Sequence, residues 1–377
     1  LNLKIAVNTR FLLKDKLEGI GTFTFEVLQR MVKNHPEHEF IFLFDRPYHK
    51  QFLFADNVKP IQLFPPARHP FLWFWWFELS VPKVLKEEKC DLFISTDGFN
   101  SLRSETPSLI VMHDLAYEHT RGGLSYLIYK YLKWFGPRYA RKASRIISVS
   151  EYSKQDIVKL YKIEPSKIDV VGNAAHGESF YPITLSKQEE CRKTYSKGKP
   201  YFIFVGALHP RKNILNLLKA FAEFKSMKPN DTRLMIVGRK GWGTKEIFET
   251  LESNPFKDDI IFTGRVSNEE YRHLLGAALA LTYVPFIEGF GIPILEAQKC
   301  DCPVITSNVT SMPEVAGDSA ILVDPYSVSS IAEGLYQMAF DQDKRQELIE
   351  KGRVNCERYS WDNSAELFWK SVEKSLA

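Results

Sequence analysis

Three observations predict an α/β architecture of two domains, each built on a parallel sheet with helices on both faces. The chain has 377 residues, too many for one ordinary core and enough for two. Short apolar runs of strand length alternate with helical patterns, and these runs lack the polar alternation of a sheet with one wet face. The alternation occurs twice, separated by a polar stretch with Pro182 and Pro200 between Tyr181 and Pro200. Two Rossmann-like domains are therefore expected, over residues 1–182 and 183–360.

In the first round, strands are expected at Lys4 to Asn8, Phe40 to Phe44, Asp91 to Ser95, Leu109 to His113, Arg145 to Val149 and Ile168 to Val171. The second round places them at Tyr201 to Val205, Arg233 to Val237, Ile260 to Thr263, Ala280 to Val284 and Val304 to Ser307. A last helix is expected over about Trp361 to Leu376.

Composition narrows the class. A hydrophobic fraction of 44% and a charged fraction of 25% describe a soluble globular chain. The formal charge of +4 is too small and too dispersed for a nucleic-acid partner. The five cysteines are scattered, and Cys300-Asp-Cys302 lacks the usual metal-ligand spacing, so a reducing cytoplasm is expected. Leu3 to Val7 is already strand-like, which does not read as a signal peptide, and no apolar run is long enough to span a bilayer.

Two segments carry chemistry. Glu288-Gly-Phe-Gly-Ile-Pro-Ile-Leu-Glu296 sets two carboxylates around a glycine turn that opens a helix. Pro293 suits a first helical turn, and Gly289 and Gly291 let the backbone approach a ligand closely. Helix-end amides favour an anion such as diphosphate, which would repel a carboxylate beside it. Glu288 and Glu296 are therefore expected to reach past the anion, to hydroxyls of a sugar and of a ribose. A plain loop followed by an ordinary N-terminal helix charge remains the other reading. Upstream, the strand Tyr201 to Val205 leads through Gly206 to Arg211 and Lys212, and then to a helix with Ile214, Leu217, Leu218, Phe221 and Phe224 on one face. Those two cations stand where a departing diphosphate needs positive charge, although such a pair is also a common solvated surface feature.

Together, Gly206-Ala-Leu-His-Pro-Arg-Lys-Asn and Pro285-Phe-Ile-Glu-Gly-Phe-Gly-Ile-Pro-Ile-Leu-Glu-Ala297 resemble the retaining family-4 glycosyltransferases of GT-B architecture. Gly19-Ile-Gly21, His113-Asp114-Leu115, Ser148 to Lys154, Phe262 to Val266 and Met312 to Gly317 extend the resemblance over nearly the whole chain. The similarity lies nearest to the bacterial mannosyltransferase-like branch that builds surface polysaccharides. It implies parallel sheets facing across a cleft, with an acceptor-side domain at 1–182, a donor domain at 183–360, and the helix 361–377 packed back on the first domain.

The resemblance also assigns roles. Arg211 and Lys212 would stabilise the leaving diphosphate, Glu288 would bind the transferred sugar, Glu296 would bind the ribose, and His113 would contact the sugar near its reacting carbon. Gly19, Gly21, Gly206, Gly289, Phe290 and Gly291 would approach the donor, while Arg265 and Val266 would frame its base. Two of these keep plainer alternatives: a helix-opening turn at Gly19 to Gly21, and a backbone-satisfied His113. The implied reaction moves a hexose, with mannose favoured, from a nucleotide-diphosphate sugar to a glycan or lipid-linked acceptor. A GDP-sugar is favoured over a UDP-sugar, with no cofactor and no metal. The implied place is the cytoplasm, with peripheral contact at the inner face of the cell membrane left open. Phe71 to Phe77 is read either as core or as acceptor or membrane contact.

Other classes fit poorly. Gly19-Ile-Gly21-Thr-Phe-Thr24 lacks the third small residue of a dinucleotide fingerprint and lies far beyond the first strand. A glycosidase needs two acids flanking one bond. Asp341-Gln-Asp343, the only Asp-x-Asp, falls in a polar helical region and is read as surface. A sugar-nucleotide epimerase and a non-catalytic sugar-nucleotide-binding subunit remain as alternatives. The chain departs from its look-alikes at Ala207, where many place a second arginine, and at Ala174, where a glycine is usual.

Overall fold

A computed structural model describes residues 2–14, 16–17, 19–121, 123–176, 179–239, 241 and 244–377. The chain forms two compact units, Leu1–Asn173 with Ser360–Ala377, and Ala174–Tyr359. The units divide earlier than the 182/183 join read from the sequence. Ala174, Ala175 and Phe180 are already buried, with Phe180 edge-on to Tyr271 of the second unit at 5.2 Å.

The first unit holds β1 (Lys4–Asn8), β2 (Glu39–Phe44), β3 (Val58–Gln62), β4 (Leu92–Ser95), β5 (Ser108–Met112), β6 (Arg145–Ser148) and β7 (Ile168–Val170). They form one sheet in the order β3-β2-β1-β4-β5-β6-β7, parallel throughout. The central strands are buried along almost their whole length, which explains their unbroken apolar sequences. The sequence reading missed β3. It is an edge strand with Pro60 and two exposed or half-exposed polar residues, so it carries neither an apolar run nor a full set of ladder donors.

A single helical stretch, Pro70 to Glu87, is interrupted by a π-helical turn at Trp76–Ser80. It turns Trp76 and Phe77 into the core, where Phe77 stacks on Phe99 at 5.1 Å. Glu78 is buried there too, accepting hydrogen bonds from the amides of Leu102 and Arg103. The helices Ile20–Asn34 and Trp361–Leu376 pack together, with Phe23 6.2 Å from both Trp361 and Phe368. Ser360 caps the last helix at the Asn363 amide, and Ser364 Oγ donates to Gly172 O at 2.6 Å, which fixes the helix to the end of the β7 segment.

The second unit holds β8 (Tyr201–Val205), β9 (Arg233–Val237), β10 (Ile260–Gly264), β11 (Ala280–Tyr283), β12 (Val304–Ser307) and β13 (Ala320–Val323). Their order is β10-β9-β8-β11-β12-β13, again all parallel. The sequence reading also missed β13, a four-residue edge strand whose Leu322 faces solvent. In both sheets the strand order reverses beside the first strand of the unit, between β1 and β4 and between β8 and β11. In open α/β sheets the crevice beyond the carboxyl ends at such a reversal is where ligands bind.

Candidate active site

The helix Ile214–Met227 forms because Ile214, Leu217, Leu218, Phe221 and Phe224 share one face, and all five are buried. This fixes the loop that joins it to β8. Within the loop, Pro210–Lys212 forms a single 3-10 turn, and Asn213 at φ 61° gives the helix its start. The buried Asn213 amide donates to Val284 O at 3.0 Å and to Pro325 O at 2.7 Å. One side chain thereby ties the loops beyond β8, β11 and β13 together. Phe286 N donates to Arg211 O at 2.9 Å, a second tie across the reversal point.

These ties bring Arg211, Lys212 and Glu288 to one place. Arg211 Nη1 donates to Glu288 Oε2 at 2.7 Å and to Ile287 O at 3.3 Å. Lys212 Nζ donates to the same Glu288 oxygen and to the hydroxyl of Tyr283, which in turn donates to Glu288 at 3.0 Å. Lys212 and Glu288 keep only 12% and 14% of their side-chain surface in water, so their charges interact with little screening. Burial pushes the Glu288 carboxyl up, but Arg211 and Lys212 outweigh it and hold it at about 2. The Tyr283 phenol is pushed well above its usual value, chiefly by burial and by Glu288, and stays a donor. The sequence suggested that Glu288 reaches away from the anion-binding groups; the structure sets it between them.

Glycines shape the surroundings. Gly206 N donates to Val237 O and Gly238 N to Gly264 O, both at 2.9 Å, which stitches the carboxyl ends of β8, β9 and β10 together. A Cβ on Gly238, at φ 148°, would lie 1.9 Å from Gly206 O. Gly291, at φ 102°, opens the helix Ile292–Lys299 with Pro293 in its first turn. Gly289 and Phe290 are buried in the same loop, Phe290 edge-on to Tyr359 at 5.5 Å, and Ser311 Oγ donates to Glu288 O at 2.8 Å. Glu296 stands on that helix, apart from the cation cluster, and accepts from Tyr271 at 2.8 Å. Burial raises its carboxyl to about 7 against the opposing pull of Tyr271 and His176. Arg265 is exposed and Val266 half-buried, just past β10.

His113, Gly19 and Gly21 belong to the other unit. His113 follows β5, and its Nε2 lies 2.8 Å from Thr96 O. A carbonyl only accepts, so Nε2 carries the proton; burial lowers the imidazole pKa, so the ring is neutral and Nδ1 keeps its lone pair. The histidine is thus backbone-anchored through one nitrogen and has an acceptor on the other. Gly19, at φ 42°, caps the helix Ile20–Asn34, and Gly21 is close-packed, since a Cβ there would lie 2.8 Å from Phe11 O.

The sequence reading did not find Asn8, Arg10 and Asp97 at the β1/β4 reversal. Asn8 donates to Ser95 and Asp97, and the buried Arg10 pairs with Asp97 at 2.5 Å beneath the Phe99 ring. This network fixes the loop whose Thr96 carbonyl anchors His113. Tyr283, Gly238 and Ser311 were missed as well; the polar tip of Tyr283, five residues before Glu288 at the end of a buried strand, was the one available signal.

Comparison with known proteins follows the same division. Residues 17–176 match the family described as Glycosyltransferase Family 4, and residues 186–355 match that described as Glycosyl transferases group 1. The chain belongs to the glycosyltransferase families that these two models describe. It is 32% identical over 226 residues to an O-antigen chain mannosyltransferase B of Escherichia coli, covering 59% of this chain and 58% of that one. It is 26% identical over 302 residues to the O-antigen chain mannosyltransferase RfbU of Salmonella typhimurium, covering 79% and 78%. The match therefore spans little more than half of the first relative. Among solved structures, Anabaena HepE in complex with UDP and glucose superposes with a TM-score of 0.76 over 99% of this chain and 100% of that one, at 17% identity. That likeness shows the GT-B fold of this chain. Among its described residues no helix is long and apolar enough to cross a membrane.

Proposed function

We propose that this glycosyltransferase moves mannose from GDP-mannose to a glycan or lipid-linked acceptor in surface polysaccharide synthesis, on the cytoplasmic side of the membrane and with retention of configuration. One observation carries the reading: Arg211 and Lys212 converge beyond the carboxyl ends of β8 and β11, with Glu288 held between them. Two adjacent cations in a largely dry setting suit a diphosphate. The mannosyltransferase names of the two bacterial relatives support the sugar.

In the proposed reaction the bond from the sugar's anomeric carbon to the diphosphate oxygen breaks, and its electron pair leaves with GDP. Arg211 and Lys212 stabilise that charge, a contribution of about 3 to 4 kcal/mol for each well-placed donor, so no metal ion is needed at the phosphates. The acceptor hydroxyl oxygen bonds to the same face of the anomeric carbon, and its proton passes to the departing phosphate oxygen. Glu288 orients sugar hydroxyls, and Glu296 accepts from the ribose.

GDP release and product anomer, followed by NMR with GDP-mannose and a mannan oligosaccharide acceptor in the presence and absence of EDTA, test the proposal. An α-linked product formed at equal rates in both conditions is expected. A β-linked product, or transfer only from UDP-sugars, contradicts it.

A further inference from the structure

The aromatic segment Phe71 to Phe77 divides between two environments. Trp76 and Phe77 are core, but Phe71 and Trp75 remain 72% and 54% exposed, and nearby Phe64 remains 80% exposed. Phe71, Trp75 and Leu79 lie at intervals of four on one helical face, and all three are solvent-facing. Ser80 Oγ donates to Phe64 O, which fixes Phe64 beside the same face.

The helix Tyr126–Lys142 packs alongside, with Phe135 6.1 Å from Phe74. It contains Lys130, Lys133, Arg138, Arg141 and Lys142 and no acidic residue; indeed no Asp or Glu occurs from Thr120 to Ser150. Leu127, Lys130, Trp134, Arg138 and Arg141 follow one another at helical spacing along its outer face. Trp134 is 58% exposed and lies beneath the Arg138 guanidinium at 3.7 Å, while Lys130 sits 5.4 Å from the exposed Tyr126 ring. Arg103 stands 5.9 Å from the Phe74 ring.

Water alone does not account for such a face. Keeping Phe64, Phe71, Trp75 and Trp134 in water forgoes the burial that each large apolar side chain favours. Tryptophans and phenylalanines bordered by arginine and lysine match the boundary between acyl chains and headgroups, where rings settle at headgroup depth and cations meet phosphate. Lys133 of this helix already pairs with Glu118, but Lys130 and Arg138 have no acidic residue on their own helix, and they set the sign of the partner.

We propose that Phe64, Phe71, Trp75 and the Lys130–Trp134–Arg138 stripe form a docking surface for an anionic lipid bilayer, holding the first unit at the membrane without spanning it. The aromatic side chains enter the headgroup region, and the basic stripe lies along lipid phosphates. This goes beyond the transfer reaction and does not depend on it, because no residue of the stripe belongs to the Arg211–Lys212–Glu288 cluster.

Co-sedimentation of the full chain with vesicles of phosphatidylcholine alone and of phosphatidylcholine mixed with phosphatidylglycerol tests the proposal. Preferential binding to the mixed vesicles is expected, weakening as salt is raised. The double variant Lys130→Glu with Arg138→Glu should bind the mixed vesicles at least about thirtyfold more weakly, since each basic group near such a surface contributes about fivefold. Phe71→Ser with Trp75→Ser should weaken binding about tenfold with less change in salt dependence. Circular dichroism and GDP binding should match wild type in both variants, which separates failure of this surface from failure of the donor site. The proposal is overturned if wild type ignores both vesicles, if either folded variant binds the mixed vesicles as wild type does, or if the variants instead dissolve a dimer of a chain that never binds lipid.

Discussion

Arg211 Nη1 donates to Glu288 Oε2 at 2.7 Å, joining two loops whose residues stand 77 apart in sequence. Lys212 shares the same oxygen, so one carboxylate organises both cations of the site.

That arrangement has a pH signature. The Glu288 carboxyl, held at about 2 against a reference of 4.5, stabilises the folded chain wherever it is ionised. Its contribution is complete above about pH 4.5 and is lost as the pH falls through about 2. At neutral pH, Glu288→Gln leaves two poorly solvated cations with a neutral partner and should cost about 3 kcal/mol. Urea denaturation at pH 7 and pH 3 reads this, with a smaller loss expected at the lower pH. Equal losses at the two values would sink the assignment.

Lys212→Ala leaves Glu288 paired to Arg211 and hydrogen-bonded by Tyr283, so the fold should persist. Turnover should drop about a hundredfold to a thousandfold, as when one preorganised donor to a developing anion is removed. Steady-state GDP release checks this. A drop below tenfold would place the charge stabilisation elsewhere.

Gly238→Ala should destabilise far more than Gly19→Ala. Both positions have positive φ, but a methyl group at 238 would drive into the Gly206 carbonyl, which cannot move without opening the backbone stitch from β8 to β10, whereas nothing lies within 4 Å of one at 19. Losses on the order of 3 kcal/mol or more at 238 and about 1 to 2 kcal/mol at 19 are expected. Thermal melts of the two variants compare them directly.

Much of this was legible in the chain. Buried central strands announce themselves through unbroken apolar runs, so Lys4–Asn8 and Tyr201–Val205 were bounded to the residue. β3 and β13 were not: β3 carries Pro60 with Lys59 and Gln62 in solvent, and β13 is four residues long with only Val323 buried. The glycine turn, Pro293 and the two cations could be located from local chemistry alone. Their convergence could not, since it depends on Asn213 reaching Val284 and Pro325, contacts between distant loops that no local pattern encodes. The direction of the Glu288 side chain was likewise decided by nearby charge in three dimensions.

Glu296 supplies a second pH test, with the opposite sign. Its carboxyl is raised to about 7, so the folded chain holds a proton there that the unfolded chain has lost, and the stability it confers declines as pH climbs from about 4.5 to about 7. If the ionised form accepts ribose hydroxyls, guanosine should bind more tightly as pH rises through about 7. Glu296→Gln should flatten that profile. Calorimetric titration across this range decides, and an unchanged profile in the variant would remove Glu296 from the ribose site.

The central claim, that Arg211 and Lys212 grip a diphosphate, is tested most directly by comparing the affinities of GDP and guanosine for wild type and for Lys212→Ala. Wild type should prefer GDP by about a hundredfold or more, and the variant should lose most of that preference while guanosine affinity stays unchanged. Equal affinity for the two ligands in wild type, or an intact preference in the variant, would contradict the account.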